Sequence, residues 1–506
     1  MDMIGKVWLV GAGPSDIGLM TVKGKQVLEE AEVVVYDALV GLGILAMIPG
    51  EAERINVGKR MGHHIMKQEE INQVLCEKAR EGKRVVRLKG GDPFLFGRGG
   101  EEIEFLKKNG IFCEVVPGVT SAISVPAYHG IPVTHRDFSS SLHIITAHKK
   151  KGTDLDIDFA SLVKLQGTLV FLMGVTAMED ICEGLMHAGM SKDTPAAVLQ
   201  EGTTARQRRV VATVATLREE ADRNNIQSPA IIVVGRVCAL ANELSWYEEM
   251  ELSGKRILIT RPRHMISKMA QKLREKGAEV LEVPAVSVIP RKELAPFKEA
   301  VKELDNYTVL AFTSPSGVRV FFEQLKLTGT DIRKLAHLKI AALGKGTAKE
   351  IEEKGMFVDY MPKEYDAASL GRLLCQKCSK EDVIFLPRAS NGNPELVEEA
   401  VKCGARVVEL PIYDTVYENN QILSLTQEIS QNTIDYVVFT SASTVKGIAQ
   451  LLEPDVYHKV QAVCIGPKTE EAAKSYGMHT FVSKEATIQS VIEKLEELTY
   501  KEKKGK

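Results

Sequence analysis

VVRLKGGDPFLFGRGGEE, which spans residues 85–102, has the pattern of a buried strand that ends in a glycine-rich loop and then enters a helix. Glycines at such a junction allow a ligand to approach the backbone closely. Asp92 can accept hydrogen bonds, and Arg98 offers a planar donor fork that suits carboxylates and phosphates. Glu101 follows Arg98 by one helical turn and is expected to orient it. The stretch predicts a ligand-binding loop; a glycine-rich turn with a surface ion pair is the structural alternative.

The overall composition is that of a multidomain globular protein. Its 506 residues suffice for about three or four domains, and 44% of them are hydrophobic. Lys and Arg number 65 against 67 Asp and Glu, so the charge balance predicts neither nucleic acid nor a membrane as a partner. The chain runs from Met1 into an apolar strand without a leader, and no apolar run approaches the ~20 residues that span a bilayer. We expect a cytoplasmic protein.

Neither the cysteines nor the histidines are spaced as metal ligands. Of the eight cysteines only Cys375 and Cys378 form a C-x-x-C pair, and no second pair accompanies them. His63 and His64 are adjacent, so they cannot share one face of a helix. We expect no metal site.

Apolar strand-like runs alternate with helical patterns along the whole chain, which predicts α/β domains with largely parallel sheets. Ligands bind at the loops that follow such strands. In the first half the runs are 7–13, 33–37, 85–89, 113–118, 143–148, 168–174, 196–202 and 230–237.

The first of these loops, residues 11–16, has the sequence GAGPSD and resembles the start of a dinucleotide-binding fingerprint. Asp16 stands where that fingerprint has its third glycine, and Pro14 follows the second glycine directly. A dinucleotide-dependent oxidoreductase is therefore an alternative of a different class. We favour a tight turn beside a small-molecule ligand.

Charged residues gather near the ends of the second and third strands. Asp37 ends its strand, where a carboxylate can point into a cleft. A dense set of cations suits a polyanionic substrate, although a solvated face explains Lys83 and Arg84 equally well. The set comprises Lys59, Arg60, Lys83, Arg84, Arg87, Lys89 and Arg98.

Small and hydroxyl residues mark further strand ends. Thr120 and Ser121 open a helix, where either hydroxyl can cap the helix or face a ligand. Met173 and Gly202 lie where two strands end, next to small residues that let backbone meet a flat ligand, and Ala230 begins a further strand.

Together these motifs resemble the uroporphyrinogen-III C-methyltransferases of the tetrapyrrole methylase family, over residues 1–246. The run from GGDPF to GRGGEE is highly specific. The other motifs are GAGPSD, VVYD, VGKR, QEEIN, VVPGVTSA, IPVTHR, MGV, EGT and SPAIIVVGRV. The resemblance implies two α/β domains with a boundary near residue 118, a homodimer formed through this half, and S-adenosylmethionine held between the domains.

The resemblance also implies roles for individual residues. Asp37 and Lys59 match positions proposed as proton acceptor and donor, and Arg98 and Glu101 match positions implicated in substrate binding and catalysis, with Arg98 another candidate base. The residues that would line the cofactor are Pro14, Gly90, Gly91, Asp92, Leu95, Thr120, Ser121, Met173, Gly202 and Ala230. The family usually shows G-P-G-D where this chain has Ser15 in the third place, so we expect the first turn to be shaped differently.

The implied substrate agrees with the charges. Uroporphyrinogen III carries eight carboxylates, which complement basic side chains. Methyl transfer from a sulfonium to a pyrrole carbon needs mainly positioning, with a base to remove a proton afterwards. Two transfers, at C2 and C7, would give precorrin-2. The basic residues implied in substrate binding are Lys59, Arg60, Arg98, His135 and Arg136.

The second half contains an internal duplication. Residues 247–254 are acidic and have the composition of a linker, and a new α/β pattern begins at Lys255. FTSPSGV at 312–318 recurs as FTSASTV at 439–445, and ALGKGT at 342–347 recurs as CIGPKT at 464–469. We expect two similar lobes, at a period too long for a solenoid. In each FTS motif the Thr-Ser pair lies where a strand ends and a helix begins. It can bind carboxylates at the helix N-terminus or simply cap the helix.

The motifs ITRPR, FTSPSGV, AALGKGT, LPRAS, LPIYDT, IDYVVFTSASTV and VCIGPKT resemble uroporphyrinogen-III synthase, over residues 255–498. The resemblance implies two flavodoxin-like lobes joined by two strands, lobe one being residues 255–287 with 415–498 and lobe two being residues 288–414. Tyr413 falls where the family carries a tyrosine thought to assist loss of the substrate hydroxyl. The binding candidates are Thr313, Ser314, Gly344, Thr347, Arg388, Ser441 and Thr444. The lysine-rich tail, residues 499–506, is expected to fray.

The sequence thus predicts a bifunctional enzyme that works on small tetrapyrrole substrates. Its second half would cyclise hydroxymethylbilane with inversion of the last ring, aided by closure of the lobes. Its first half would methylate the product twice, for sirohaem or cobalamin. The remaining alternatives are a methylase acting at a different carbon and a non-catalytic tetrapyrrole carrier.

Overall fold

In the computed structural model, the residues that can be described are 4–58, 66–147, 155–260, 267–283, 287–416 and 425–504. They form four five-stranded sheets covered by helices, which confirms the predicted α/β class. The chain divides into two compact units, Met1–Val283 with Asn419–Lys506 and Pro284–Glu418. Among the helices of the described ranges, none is long and apolar enough to cross a lipid bilayer.

The first sheet is parallel throughout, in the order β3-β2-β4-β1-β5. Its strands are β1 (Lys6–Gly11), β2 (Val33–Tyr36), β3 (Glu53–Asn56), β4 (Arg84–Lys89) and β5 (Cys113–Val116). Its helices are α1 (Val22–Glu29), α2 (Leu42–Leu45), α3 (Gln68–Arg80), α4 (Gly99–Lys108) and α5 (Ser121–Tyr128). Alternate residues of β2 pack into two different cores, Val35 with Leu75 on one face and Val34 with Ile44 on the other. This burial on both faces explains why the strand is a continuous apolar run.

The second sheet is mixed, in the order β6-β7-β10-β8-β9. Its strands are β6 (Leu142–Thr146), β7 (Thr168–Leu172), β8 (Pro195–Gln200), β9 (Arg208–Thr213) and β10 (Ala230–Val234), and its helices are α6 (Phe159–Leu165), α7 (Met178–His187) and α8 (Leu217–Arg223). Only β6 and β7 pair in parallel, so the prediction of a largely parallel sheet is wrong here. The connection 201–207 is too short for a crossover helix, and β8 and β9 therefore pair antiparallel.

The third sheet, in the same unit, is fully parallel, in the order β12-β11-β18-β19-β20. Its strands are β11 (Arg256–Ile259), β12 (Glu279–Glu282), β18 (Tyr436–Phe439), β19 (Gln461–Cys464) and β20 (His479–Val482). Its helices are α9 (Ser267–Glu275), α15 (Leu425–Ser430), α16 (Ala442–Leu451), α17 (Pro467–Ser475) and α18 (Ile488–Lys504). The prediction of a frayed tail is wrong for residues 499–504, because they continue α18 and Thr499 is fully buried. Counted along this sheet alone, the order is 2-1-3-4-5, which is the flavodoxin order.

The fourth sheet forms the second unit, in the order β13-β17-β16-β14-β15. Its strands are β13 (Ser287–Pro290), β14 (Val309–Phe312), β15 (Lys339–Ala342), β16 (Val383–Ala389) and β17 (Arg406–Val416), and its helices are α10 (Ala295–Lys302), α11 (Pro315–Leu327), α12 (Lys345–Glu352), α13 (Ala367–Lys377) and α14 (Glu395–Ala400). Four strands are parallel, and β13 pairs antiparallel with β17 at the edge.

The repeated motifs occupy equivalent places in the third and fourth sheets. Ser314 caps α11 after β14, and Ser441 caps α16 after β18. Gly344 and Gly466 likewise precede α12 and α17. The predicted duplication is therefore a duplication of strand-to-helix units.

Candidate active sites

The carboxyl ends of β1, β4 and β5 meet backbone against backbone. Gly13 and Gly91 exchange two hydrogen bonds, at N–O distances of 3.1 and 2.8 Å. A Cβ added to Gly118 would lie 2.2 Å from the carbonyl oxygen of Gly91, and one added to Gly11 would lie 2.5 Å from Cα of Gly118. The loops therefore pack this tightly only because these positions carry no side chain.

Asp92 fastens two of these loops together. Its Oδ1 accepts hydrogen bonds from the backbone N–H groups of Phe94 at 2.8 Å and Leu95 at 3.1 Å, and its Oδ2 accepts from that of Gly118 at 3.0 Å. The neighbouring Gly91 has φ +67, and a Cβ there would meet nothing within 4 Å. The loop thus borders an open space at Gly91, and the Asp92 carboxylate holds the loop backbone next to that space in place.

Strained backbone is concentrated in the strand-end loops of the first two sheets. Nine non-glycine residues of the described ranges have positive φ, and six of them lie in these loops. Each such conformation costs about 1–3 kcal/mol, so a residue keeps it only where the surrounding structure enforces it. Residues of this kind cluster at ligand sites. The six are Ser15, Phe96, Arg98, Met173, Glu201 and Thr203.

Ser15, in the first turn, has a backbone conformation that is usual only for glycine. Its φ is 133, in a region that L-residues rarely adopt. The turn therefore has a glycine-type backbone at the position where this chain carries serine.

The loops of the second sheet join those of the first. The hydroxyl of Thr203 donates to the carbonyl of Pro14 at 3.2 Å, and a Cβ on Gly202 would lie 2.3 Å from Cγ1 of Val125 on α5. Ala230 pairs with Gln200 in antiparallel register, so the start of β10 lies at the same edge as the end of β8. Met173, half exposed, follows β7 at this edge. Most of the predicted cofactor residues are thus brought together.

Thr120 and Ser121 begin α5 as the sequence predicts. The Thr120 hydroxyl accepts a hydrogen bond from the N–H of Ala122 at 3.3 Å, so it caps the helix. The hydroxyl's own proton is still available to a ligand.

A buried cluster of charge lies behind these loops. Glu102 is fully buried, and its Oε1 accepts hydrogen bonds from Arg87 Nε at 3.1 Å, Lys89 Nζ at 3.0 Å and Gln68 Nε2 at 3.1 Å. Burial, and then the charge of Arg87, lower the pKa of Lys89. The prediction that these cations serve a polyanionic substrate is therefore wrong for Arg87 and Lys89, which are buried and paired with Glu102.

Asp37 is fixed by this cluster and remains accessible. Its Oδ2 lies 3.5 Å from Nη2 of Arg87, and its Oδ1 accepts from the N–H of Leu39 at 3.2 Å. Arg87 is itself held, because its Nη1 donates to the carbonyl of Leu88 at 3.1 Å. The Asp37 side chain is 26% exposed. It can therefore meet a substrate from a fixed position.

Arg98 and Glu101 form the ion pair that their spacing predicts. Nε and Nη2 of Arg98 donate to the two carboxylate oxygens of Glu101 at 2.9 and 2.6 Å. These hydrogen bonds lower the pKa of Glu101. Both side chains are more than half exposed, so the guanidinium is reachable. Lys59 and Arg60 lie outside the described residues.

His135 and Arg136 lie on a turn between α5 and β6. The N–H of His135 donates to the carbonyl of Ser139 at 3.0 Å and closes a turn, on which Arg136 is exposed. Within the part of the chain that the structure describes, no hydrogen bond joins this turn to the converging loops.

In the second unit, Tyr413 and Ser314 meet at the start of α11. Their hydroxyl oxygens are 2.9 Å apart, and Ser314 Oγ also accepts from the N–H of Gly317 at 2.9 Å. Tyr413 is only 5% exposed. Burial raises its pKa, and the hydrogen bond with Ser314 acts in the opposite direction. The phenol is thus a protonated hydroxyl in a fixed position.

The remaining synthase candidates are mostly engaged within their own lobes. Arg388 is buried, forms an ion pair with Glu409 and donates to the carbonyl of Asn393 at 2.8 Å. Thr347 is buried in the first turn of α12, which begins after Gly344. Thr313 lies half buried between β14 and the Ser314 cap.

In the third sheet, Ser441 and Thr444 form a capping box. Ser441 Oγ accepts from the N–H of Thr444 at 3.3 Å, and the N–H of Ser441 donates to Thr444 Oγ1 at 3.3 Å. The structural alternative of capping is therefore realised at this pair.

The sequence reasoning passed over Glu102 and Thr203. Glu102 lies four residues before the buried Leu106 on α4, so the helical period places it on the inner face that Glu101 does not share. That signal was available. Thr203 carried none, because its partner Pro14 lies on a distant loop.

Comparison with known proteins covers both halves. The family model of tetrapyrrole (corrin/porphyrin) methylases matches residues 6–218, and that of uroporphyrinogen-III synthase HemD matches residues 267–493. The uroporphyrinogen-III C-methyltransferase of Bacillus subtilis (strain 168) is 42% identical over 357 residues, which are 70% of this chain and 72% of that protein. A crystal structure of uroporphyrin-III C-methyl transferase from Thermus thermophilus, complexed with S-adenyl homocysteine, covers 46% of this chain and 99% of its own, at 39% identity and a TM-score of 0.41.

One relative matches from end to end. The porphyrin biosynthesis protein HemD of Ruminiclostridium josui is 44% identical over 494 residues, which are 98% of each chain. Because this match spans both the methylase and the synthase regions, the chain belongs to the family of bifunctional tetrapyrrole-biosynthesis enzymes that join a uroporphyrinogen-III C-methyltransferase to a uroporphyrinogen-III synthase.

Proposed function

We propose that the amino-terminal half transfers two methyl groups from S-adenosylmethionine to uroporphyrinogen III, at C2 and C7, and releases precorrin-2. The observation that carries this proposal is the set of strained, glycine-packed loops beside the fixed and accessible carboxylate of Asp37. Such loops hold a small ligand rigidly. Asp37 can accept the proton that leaves the pyrrole carbon after methylation. The name of the B. subtilis relative supports the same substrate.

We propose that these loops hold an adenosyl cofactor. A Cβ added to Gly91 would meet no atom within 4 Å, so a ligand can approach the backbone there, and the neighbouring backbones of Gly11 and Gly118 are closely packed. The cofactor supplies an electrophilic methyl group on a cationic sulfonium. The protein residues that would hold it are Pro14, Gly90, Gly91, Asp92, Leu95, Thr120, Ser121, Met173, Gly202 and Ala230.

The exposed Arg98 fork suits the carboxylates of the substrate. We propose Arg98, oriented by Glu101, as its main anchor, with Arg60, His135 and Arg136 as further contacts. Lys59 is proposed as the proton donor of the pair with Asp37. The end use, sirohaem or cobalamin, lies downstream of the product.

We propose further that the carboxy-terminal half cyclises hydroxymethylbilane to uroporphyrinogen III with inversion of ring D. The substrate loses its hydroxyl as water when the ring closes, and we propose that the protonated hydroxyl of Tyr413, held 2.9 Å from that of Ser314, assists this loss. The groups proposed to bind the substrate are Thr313, Ser314, Gly344, Thr347, Arg388, Ser441 and Thr444.

We propose a cytoplasmic homodimer formed through the methylase half. The proposed boundaries are 1–246 for the methylase, 247–254 for the linker and 255–498 for the synthase, whose last helix, α18, continues through residues 499–504. Light scattering on the purified full chain tests the dimer, because a monomeric mass at micromolar concentration would contradict it.

One experiment tests both activities. The pure protein is given hydroxymethylbilane anaerobically, with and without S-adenosylmethionine, and products are identified by mass and absorbance. We expect type III uroporphyrinogen without the donor and a dimethylated dipyrrocorphin with it. Accumulation of the type I isomer would overturn the synthase assignment, and unmethylated type III product in the presence of the donor would overturn the methylase assignment.

An Asp37→Asn variant separates an enzyme from a tetrapyrrole carrier. A carrier would keep its affinity for uroporphyrinogen III and has no turnover to lose. We expect the variant to lose about 10²-fold or more in methyl-transfer kcat, the contribution typical of a general base, while ring closure is unchanged.

A further inference from the structure

The loop that follows β8, residues 201–206, is here called the donor loop. Its outer end contacts the third sheet, which belongs to the synthase half. The backbone N–H of Ala205 donates to Oε2 of Glu279 at 2.8 Å. Glu279 is the first residue of β12, and its side chain is 17% exposed. A methylase loop is therefore held by a synthase carboxylate.

Arg206 makes the second contact of the donor loop. Its Nη2 donates to Oδ2 of Asp435 at 2.9 Å and to the carbonyl oxygen of Thr433 at 3.0 Å. Arg206 is 30% exposed and Asp435 is 19% exposed. Hydrogen bonds between charged groups that are partly shielded from water are stronger than exposed ion pairs.

Both carboxylates are fixed by the synthase half itself. Nε of Arg256 lies 3.0 Å from Oε2 of Glu279, and the N–H of Arg256 donates to Oδ2 of Asp435 at 2.7 Å. Arg256 begins β11, which lies between β12 and β18. The amino ends of three adjacent strands thus present two rigid acceptors to the donor loop.

The inner end of the donor loop needs such support. Glu201 has φ 47 and Thr203 has φ 69, conformations that L-residues hold only under constraint. Thr203 in turn donates to the carbonyl of Pro14. The strain of the loop is therefore maintained between Pro14 on one side and the third sheet on the other.

A second route reaches the first turn. The hydroxyl of the buried Tyr247 donates to the carbonyl of Gly277 at 2.9 Å, and its ring packs against Tyr128 with centroids 5.5 Å apart. The Tyr128 hydroxyl donates to Oδ2 of Asp16 at 2.6 Å. The linker therefore connects the segment before β12 with the loop that contains Pro14.

We propose that lobe one of the synthase is a structural part of the methyl-donor site, with Glu279 and Asp435 as positioning residues that hold the donor loop in its cofactor-binding conformation. The inference rests on the proposed function, because Gly202 of this loop is a proposed cofactor contact. The carboxyl ends of the same strands, which carry Ser441 and Thr444, lie at the opposite edge of the sheet. Changes at the amino edge should therefore spare ring closure.

The test is a Glu279→Ala variant of the full chain, titrated with S-adenosylhomocysteine by calorimetry. We expect its Kd to rise about tenfold, because the binding-competent loop becomes a minor population. The KM for S-adenosylmethionine should rise with it, while kcat and the rate of ring closure stay within about twofold. Glu279→Gln should recover most of the affinity, since the amide oxygen still accepts from Ala205.

Glu470→Ala is the matched control. Glu470 lies on α17 of lobe one, is 24% exposed and accepts from Thr480 within that lobe at 2.9 Å. Its loss should leave the Kd unchanged. Equal weakening in Glu470→Ala and Glu279→Ala would overturn the proposal, because it would show general destabilisation of the lobe.

Two further outcomes are decisive. An unchanged Kd in Glu279→Ala, repeated in Asp435→Asn if the first variant does not fold, overturns the inference and leaves the proposed function intact. If the unaltered chain itself binds no S-adenosylhomocysteine and transfers no methyl group, the proposed function fails together with the inference.

Discussion

Ser15, in the first strand-end loop, has a strained backbone whose cost in stability can be measured. It holds a φ of 133 where glycine has no steric penalty. We predict that Ser15→Gly raises the free energy of unfolding by about 1 kcal/mol. The substitution relieves the strain of this conformation, about 1–3 kcal/mol, but glycine also gives the unfolded chain more conformational freedom, which offsets part of the gain. Thermal unfolding followed by calorimetry measures this. Ser15→Ala keeps the Cβ and should give no gain; an equal gain in both variants would show that the hydroxyl, and not the backbone, is responsible.

The adjacent acids Glu101 and Glu102 are a natural matched pair. Glu102 is fully buried between Arg87 and Lys89, whereas Glu101 is 55% exposed beside Arg98. We predict that Glu102→Gln lowers the free energy of unfolding by about 3 kcal/mol, because it leaves buried cations without their counter-charge. Glu101→Gln should cost less than about 1 kcal/mol. Comparable losses in denaturant titrations of the two variants would contradict the buried-cluster account.

At the scale of elements, the start of α11 combines a helix cap with a candidate catalytic hydroxyl. Ser314 accepts from Gly317 as the cap and also meets Tyr413. Tyr413→Phe leaves the cap and the packed ring in place. We predict a loss of about 10²-fold in enzymatic ring closure, as expected for a proton donor, with little change in Tm.

Ser441→Ala provides the control for this element. Ser441 caps the equivalent helix α16 of the other lobe, where its side-chain partners are Ser443 and Thr444. It should lose about 1 kcal/mol of stability, as cap removal usually does. If Tyr413→Phe lost the same stability and kept its rate, the tyrosine would be a structural residue.

The linker between the two halves should make stability depend on pH. Burial alone would raise the pKa of Glu248, but the neighbouring His129 imidazole and Ser245 hydroxyl outweigh it and lower the pKa to about 2. A folded-state pKa below the ordinary 4.5 means that the ionised form favours folding. This stability is fully present above about pH 4.5 and is lost as the pH falls toward about 2.

We predict that Glu248→Gln is less stable than the unaltered chain near neutral pH, by about 1 kcal/mol after allowance for solvent screening. The difference should shrink as the pH falls below about 4.5. Thermal unfolding across this range, followed by tryptophan fluorescence, measures it. Glu249→Gln serves as the control for loss of one negative charge; a difference for Glu248→Gln that grows in acid would refute the sign.

The elements show what a sequence pattern can and cannot predict. The eight strand-like runs of the first half all contain strands. Six of the eight are central strands, which are continuous apolar runs because they are buried on both faces. The edge strands β3 and β9 were missed, since Glu53–Asn56 and Arg208–Thr213 mix charged and apolar residues. An edge strand needs no continuous apolar run, so this signal finds edge strands such as β5 and β6, in which apolar residues predominate, and does not find β3 and β9.

The same contrast holds for the site. The glycines of the loop after β4 can be recognised from the sequence, because a close backbone approach or a positive φ restricts the residue type locally. The partners of the donor loop cannot be recognised in this way, since Ala205 and Glu279 are 74 positions apart and Arg206 and Asp435 are 229 apart. Charged residues at strand starts usually face solvent, so nothing in the sequence distinguished these two acids.

At the scale of the whole molecule, the contact between the donor loop and the third sheet couples cofactor binding to part of the synthase half. A ligand that binds the folded state lowers the population of every opening that disrupts its site. If lobe one helps to hold the donor loop, S-adenosylhomocysteine should slow amide exchange beyond the methylase half. The segments concerned are 255–258, 277–280 and 433–437, at the amino edge of the sheet.

Hydrogen exchange read by mass spectrometry on the full chain measures this directly. We predict slower exchange with saturating S-adenosylhomocysteine in those segments, and no change at the carboxyl edge around residues 440–444, because the donor loop forms its hydrogen bonds with the amino edge. In Glu279→Ala the protection at 277–280 should disappear, because Ala205 loses its acceptor there. Protection around Gly91 should persist, since the hydrogen bonds between Gly13 and Gly91 do not involve the synthase half. Protection confined to residues 1–246 in the unaltered chain would mean that the two halves share a contact without sharing an energetic coupling.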